Sequence, residues 1–395
     1  MKKKLLLAVV ILIGILLLFL YPRKEPFPAL SNSMRQELET YIVKNYKTPE
    51  EYVLSKFKSH DIIFLGEYHR IKHDVELVQD LIPFLYEDGV YNLGIEFACY
   101  EDQDKIDQLL SAKTYNESLA YEIQFNFWPW WGYQEYIDIY KTAWDFNQQL
   151  PKDARKFRVV GLNGNSDWSY VKTEEDRNNP EIMKNVFKDG PGDQFMADVI
   201  IKEFLQKEEK ALIFSGINHA YTKYKQPIYH EKEKRFVRFV DDRMGNIIYD
   251  KIGERCITIF LHSPWPSKDK FSEDVYPAEG VIDKLMIKID EKFKPVGFDI
   301  KGTPFEKLPG KNSLWQHGYN NFNLGAYCDG YIYTKPLSKY KGVELAPGFI
   351  NENNRIEAIQ QSANPKAKRL NMTVEELIDS IKKSANMQKR FKKFR

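Results

Sequence analysis

Residues 61–69, Asp61-Ile62-Ile63-Phe64-Leu65-Gly66-Glu67-Tyr68-His69, decide the fold class. Four consecutive apolar residues, two of them β-branched and one aromatic, make a strand short enough and apolar enough to be buried on both faces. The run stops at Gly66, and the polar residues Glu67, Tyr68 and His69 follow at once. Over 69–88 the apolar side chains recur at Val75, Val78, Leu81, Ile82 and Leu85, the spacing of one helix face, and Gly89 ends the pattern. A second strand is predicted at 92–97. Further strands follow at 157–162, 211–214, 256–261 and 329–333, with helices at 101–111, 194–207 and 234–251 between them. Upstream, 34–45 reads as a helix, and Thr48-Pro49-Glu50-Glu51 is a helix start with a capping Thr and Pro at the first helical position. Strands alternating with helices predict an α/β fold, a largely parallel central sheet flanked by helices. Beyond about residue 270 the pattern weakens.

The 395 residues, 43% hydrophobic and 29% charged, are those of an ordinary globular chain large enough for a sizeable core. A net charge of +2 gives no general attraction for nucleic acid, which is excluded as an expected partner. Three cysteines, Cys99, Cys256 and Cys328, are too few and too scattered for a disulfide scaffold or a cysteine-based zinc site. At the N-terminus Lys2-Lys3-Lys4 precede sixteen unbroken apolar residues from Leu5 to Leu20, near the length a bilayer helix needs. With the basic end held in the cytoplasm, the rest of the chain is exported. The reading favours a retained single-pass anchor over a cleaved signal peptide, because Arg23, Lys24 and Glu25 follow directly and no small-residue cleavage pair lies close behind. The expected organisation is an anchor at 1–22, a proline-bearing linker at 23–33, an α/β domain at 34–350 and a basic helical tail at 351–395. From Lys366 onward ten Lys/Arg face three acidic residues, a net of +7. Thr373-Val374-Glu375-Glu376 starts a helix whose Val374, Leu377, Ile378 and Ile381 form an apolar stripe. Attachment to an anionic membrane surface and a plain solvated helix are both open for it.

In parallel sheets ligands bind beyond the carboxyl ends of the strands. The first predicted strand runs into Glu67 and His69, with His73 one turn on. The second ends at Glu96, the third runs into Asn163, the fourth into Ser215-Gly216-Ile217-Asn218-His219, and the fifth ends at His262. Four of the seven histidines and two carboxylates therefore collect at strand ends. Two of them close Gly-x-x-His turns, where glycine permits a tight or left-handed turn and the histidine lands at the head of the next helix. Imidazole titrates near neutrality and serves as base or ligand, while a carboxylate orients it or transfers protons. Each has an ordinary alternative: a helix-start hydrogen bond for His69 and His219, a buried ion pair for Glu96, dipole stabilisation for Glu67, and packing for His73 and His262. The aromatic run 125–131 reads as a lid or wall over the site, or as a packed loop. No Gly-x-Ser-x-Gly surrounds any serine, so a serine nucleophile has no support.

Leu65-Gly66-Glu67-Tyr68-His69, Gly94-Ile95-Glu96-Phe97 and Ser215-Gly216-Ile217-Asn218-His219, in this order, resemble the haem-binding-uptake/Tiki superfamily of ChaN-like, Tiki/TraB-like and erythromycin-esterase-like proteins. Arg243-Met244-Gly245-Asn246 fits the same pattern less specifically. The resemblance covers roughly 55–335 and implies an α/β domain with its site at the strand ends. It implies that His69, Glu96 and His219 match the metal-dependent Tiki group, that Glu67 and His69 match the esterase pair in which a histidine activates water, and that His69 with His73 is similar to the histidine-rich turn of ChaN-like proteins. Asn163 departs from it, standing where a carboxylate would be sought.

The expectation is a membrane-anchored, extracytoplasmic hydrolase, metal-dependent, cleaving an ester or amide bond of a small-molecule or peptide substrate. Glu67, His69, Glu96 and His219 are its candidate catalytic residues, and a divalent metal is expected on His69, Glu96 and His219. The alternative is a haem- or metal-binding uptake protein without turnover, using His69 or His73, with His262 as a further candidate ligand. A scaffold with a degenerate site is the third reading.

Overall fold

The computed structural model describes residues 30–190 and 192–394; the expected anchor and most of the expected linker lie outside the described residues. Strand β1, Ile62–Glu67, is buried along its whole length. Its side chains alternate between two hydrophobic clusters: Ile63 and Leu65 join one, Ile62 and Phe64 the other. That double burial is why the strand reads as a continuous apolar run. The other strands are β2 Asn92–Cys99, β3 Arg158–Asn163, β4 Ala211–Gly216, β5 Gln226–His230, β6 Arg235–Val240, β7 Cys256–Leu261, β8 Trp265–Ser267, β9 Lys270–Val275, β10 Val296–Asp299 and β11 Gly330–Tyr333.

Seven of them form one sheet in the order β10-β11-β7-β1-β4-β2-β3. All its neighbours run parallel except β10, which is antiparallel to β11. Helices cover both faces, among them Lys72–Glu87 and Gln134–Gln149 on one and Gly192–Glu203 and Met244–Ile252 on the other. The fold is thus mixed α/β with a largely parallel central sheet. The capped helix start at Thr48 forms as read, with the reciprocal hydrogen bonds of a capping box. All three cysteines are free and buried.

Three features differ from the expectation. The helix expected over 234–251 is a strand and a helix, β6 followed by Met244–Ile252. Arg235-Phe236-Val237-Arg238-Phe239-Val240 is rich in β-branched and aromatic residues, and antiparallel pairing with β5 overrides any helical pattern. The helices Glu117–Phe127 and Gln134–Gln149 and the strands β5, β8, β9 and β10 have no counterpart among the expected elements. The basic tail folds onto the body. Its helix Val374–Ser384 is capped by Thr373 and buries Leu377 and Ile381 in the cluster around Ile63 and Leu65. Phe391 and Phe394 pack with Ile71, Leu337 and Tyr340. Among the described residues no helix is long and apolar enough to cross a membrane.

Candidate active site

β4 lies between β1 and β2, so residues leaving their carboxyl ends meet although His69 and His219 are 150 positions apart. Glu67 is the last residue of β1 and is buried. Its Oε1 accepts from His69 Nδ1–H at 2.9 Å and from the Tyr136 hydroxyl at 2.6 Å. Glu96 sits in β2 where the register against β3 shifts between Ile95 and Cys99, an irregularity of the kind that re-aims a side chain. Its Oε2 accepts from the Gly216 N–H at 2.6 Å, and its Oε1 stands 3.4 Å from His219 Nε2. His219 Nδ1–H donates to Asp193 Oδ1 at 2.7 Å. Asp193 also accepts from the Met244 N–H at 2.8 Å and from Arg243 Nη1 at 3.0 Å. Two imidazoles are therefore each fixed at Nδ1 by a carboxylate, which leaves both Nε2 atoms beside Glu96 and Gly216.

The two glycines act by space. Neither has positive φ, and the left-handed residue of this region is Arg70, at φ 71°. A Cβ on Gly66 would stand 2.6 Å from the Phe260 ring, and one on Gly216 2.4 Å from His69 Cε1. Neither histidine heads a helix: His69 precedes the helix Lys72–Glu87, and His219 lies in the turn after β4. Asp193 supplies the carboxylate that Asn163 does not. It opens the helix Gly192–Glu203, thirty positions after Asn163, and no spacing in the sequence pointed to it. Tyr136, on a helix absent from the sequence reading, was likewise missed.

Burial pushes the His219 imidazolium down, but Glu96 and Asp193 outweigh it and lift its pKa to about 9. His219 is therefore charged at neutral pH. Asp193, despite its burial, is held below the usual carboxylate range by His219, the Met244 N–H and Arg243. Burial and the neighbouring Glu67 charge push the Tyr136 hydroxyl well up, so it remains a donor. Burial, then Glu67, also pushes the Asp74 carboxyl well up.

His73 and His262 do not join this centre. His262 is a satisfied core residue, accepting from the Tyr331 hydroxyl at 3.0 Å and donating to Asp283 Oδ1 at 3.2 Å, so both ring nitrogens are engaged. His73 is buried with its ring 4.4 Å from that of Tyr340, and burial, Lys335 and His262 lower its pKa well below the usual value. In the aromatic run, Trp131 lies edge-on to His69 at 5.1 Å and stacks on Phe97 at 5.5 Å, which makes it a wall of the centre.

A cavity of about 220 Å³ opens on His69, Gly216 and His219. A second, of about 430 Å³, reaches His219, Asp193 and Arg243 from a side lined by Trp128, Trp168 and Phe187. Among the described residues no group of three or more His, Cys, Asp or Glu is placed to hold a metal ion. Of the expected ligands, Glu96 Oε2 is held by the Gly216 N–H, His69 Nδ1 by Glu67 and His219 Nδ1 by Asp193. Nor do the residues fit a haem between His69 and His73, because His73 is buried under Tyr340 and the cavity on His69 is below the roughly 300–1,000 Å³ of sites for drug-sized ligands.

A family model described as haem-binding uptake, Tiki superfamily, ChaN matches residues 53–171. The resemblance carried by the motifs is shown there, over a stretch that contains Glu67, His69, Glu96 and Tyr136 and ends before Asp193 and His219. No curated protein matches the sequence. Among solved structures, a succinoglycan biosynthesis protein is similar with 14% identity over 80% of this chain and 100% of its own, at a TM-score of 0.52. ChaN of Campylobacter jejuni, described with cofacial haem binding, matches at 15% identity over 56% of this chain and 89% of its own, TM-score 0.36. An erythromycin esterase mutant in its open conformation matches at 11% identity over 75% and 94%, TM-score 0.46.

Proposed function

We propose that the protein is a hydrolase that cleaves an ester or amide bond with His69 as general base. The observation that carries this reading is the pair of carboxylate-fixed imidazoles, Glu67–His69 and Asp193–His219, converging on Glu96. Glu67 holds the proton of His69 on Nδ1, so Nε2 is the basic nitrogen facing the cavity. His69 takes a proton from water as the water oxygen bonds to the carbonyl carbon. The electron pair of the C=O moves to oxygen, and His219 Nε2–H, which stands 3.4 Å from Glu96 Oε1 with no hydrogen bond between them, donates to that developing charge. On collapse the bond to the leaving alcohol or amine breaks, and the proton held by His69 passes to the leaving group. Glu96 orients the centre through Gly216 and His219. His219 borders both cavities, an arrangement that suits a substrate with a portion on each side of the bond.

The test is hydrolysis of 4-nitrophenyl esters and anilides by the full-length protein. Activity that falls at least 100-fold in both His69→Ala and His219→Ala, and that survives EDTA, supports the reading; absence of turnover overturns it. The second reading, haem binding, has the family match over 53–171 behind it and the misfit of a haem around His69 and His73 against it. A Soret band in protein loaded with haem, lost in His69→Ala, together with no turnover, would establish it.

For location, our reading is that residues 5–20 anchor the protein in a membrane with the main domain outside the cytoplasm. Its support is the sixteen-residue apolar run behind three lysines. Release from membranes by carbonate at high pH overturns it.

A further inference from the structure

Arg70, next to His69, is held in place at four points. Its N–H donates to the Tyr136 hydroxyl at 3.1 Å, its carbonyl accepts from the Val343 N–H at 3.1 Å, and its Nε donates to the Tyr133 hydroxyl at 3.1 Å. Its guanidinium carbon lies 4.2 Å over the Trp131 ring. The backbone adopts φ 71°, a left-handed conformation that disfavours a long side chain and persists only where the surroundings impose it. Strain of this kind is found where a side chain must be aimed.

What is aimed is a free fork. Arg70 borders the cavity that opens on His69 and His219, and its two terminal nitrogens have no hydrogen-bond or ion-pair partner among the described residues. The other cations on that wall are matched. Arg390 pairs with Asp274 Oδ2 at 3.1 Å and lies over the Tyr68 ring, and His219 faces Asp193 and Glu96. A guanidinium is permanently charged and weakly hydrated, and its planar fork matches the oxygens of carboxylate or phosphate. The same Trp131 ring that carries the guanidinium meets His69 edge-on at 5.1 Å, so a group seated on Arg70 lies within a few bonds of the base.

We propose that Arg70 forms an anion subsite, which seats a carboxylate or phosphate group carried by the substrate a few bonds from the carbonyl that is attacked. The subsite stands on its own geometry, and its role toward a substrate rests on the hydrolase reading above. The hydrolase then acts on half-esters or half-amides of diacids, or on phosphate-bearing esters, in preference to neutral ones.

The test uses the full-length protein in two arms. Calorimetric titration with succinate, inorganic phosphate and neutral succinamide is expected to show one saturable anion site in the wild type and in His69→Ala, and none for succinamide. Arg70→Gln, and Arg70→Asn, whose side chain tolerates the left-handed backbone, are each expected to weaken that site at least 10-fold while melting cooperatively. Preference for succinate or for phosphate tells which anion the fork was built for. In the second arm, mono-4-nitrophenyl succinate is compared with 4-nitrophenyl butyrate. The wild type is expected to favour the succinate ester at least 10-fold in kcat/KM, and the Arg70 variants to lose that ratio through a raised KM. Anion binding without cleavage of either ester keeps the subsite and ends the hydrolase reading. Cleavage with no anion preference, or anion binding undiminished in both variants, overturns the subsite.

Discussion

At position 219 a histidine meets two carboxylates, and this sets the pH behaviour of the site. With its pKa raised from the ordinary 6.5 to about 9, the folded protein holds a proton there that the unfolded chain releases. The stabilisation is fully present below about pH 6.5 and is lost as the pH rises through about 9. Turnover that needs the His219 cation is expected to fall over the same basic limb. Asp193→Asn removes one of the charges that raise this value, so the limb in a pH–rate profile is expected to move to lower pH; an unmoved limb means another group sets it. Gly216 limits the site by space. An added Cβ would stand 2.4 Å from His69 Cε1, so Gly216→Ala is expected to turn the ring off Glu67 and cut the rate about 100-fold, with His69→Ala giving little further loss in the double variant. The residues at the strand ends were legible because strand, glycine and histidine stand in short succession. Asp193 and Arg70 were not, because their roles depend on partners from distant segments: Met244, Arg243 and His219 for one, Tyr133, Tyr136 and Trp131 for the other.

At the scale of elements, the helix Gln134–Gln149 decides how the first dyad is held. It packs across the sheet face built on Ile63 and Leu65 and delivers Tyr136 to both Glu67 and the Arg70 N–H. A hydrogen bond to a charged group contributes about 1.5–3 kcal/mol. Tyr136→Phe is therefore expected to lower kcat/KM about 10-fold or more and to reduce the melting temperature, as measured by steady-state kinetics and calorimetry. A rate within twofold of the wild type would show that Glu67 alone orients His69. The sequence hid this helix because its buried side carries the polar Glu135 and Asn147 beside Tyr136, Ile139 and Tyr140, which interrupts the apolar stripe. The misread segment 234–251 shows the converse: Arg235 to Val240 is a strand only because β5 lies beside it, and pairing of that kind is not local information. The bulge in β2 that aims Glu96 is equally a product of pairing, here with β3.

Across the whole molecule, residues 366–394 belong to the same packed body as the strands that carry the site. The apolar stripe read at Val374, Leu377, Ile378 and Ile381 buries Leu377 and Ile381 against the sheet-facing cluster. Phe391 meets Tyr68 at 5.6 Å and Tyr340 at 5.9 Å, beside the Arg390–Asp274 pair that walls the cavity. Phe391→Ala is expected to cost about 3–5 kcal/mol in urea unfolding; a loss below 1 kcal/mol would mean the segment contributes little to the body. By itself the sequence determined the parallel α/β architecture and the strand ends from which Glu67, His69 and His219 emerge, because buried strands, helix faces and caps are written in short-range patterns of apolar and polar residues; Glu96, expected at a strand end, lies inside β2, which runs on to Cys99. Only the tertiary structure decided that β4 falls between β1 and β2, that Asp193 completes the second dyad, and that His73 and His262 are buried away from the cavity. Strand order and side-chain pairing are set by contacts between segments from 26 residues apart, as for Asp193 and His219, to about 150 apart, as for β1 and β4, and those contacts leave no local periodicity behind.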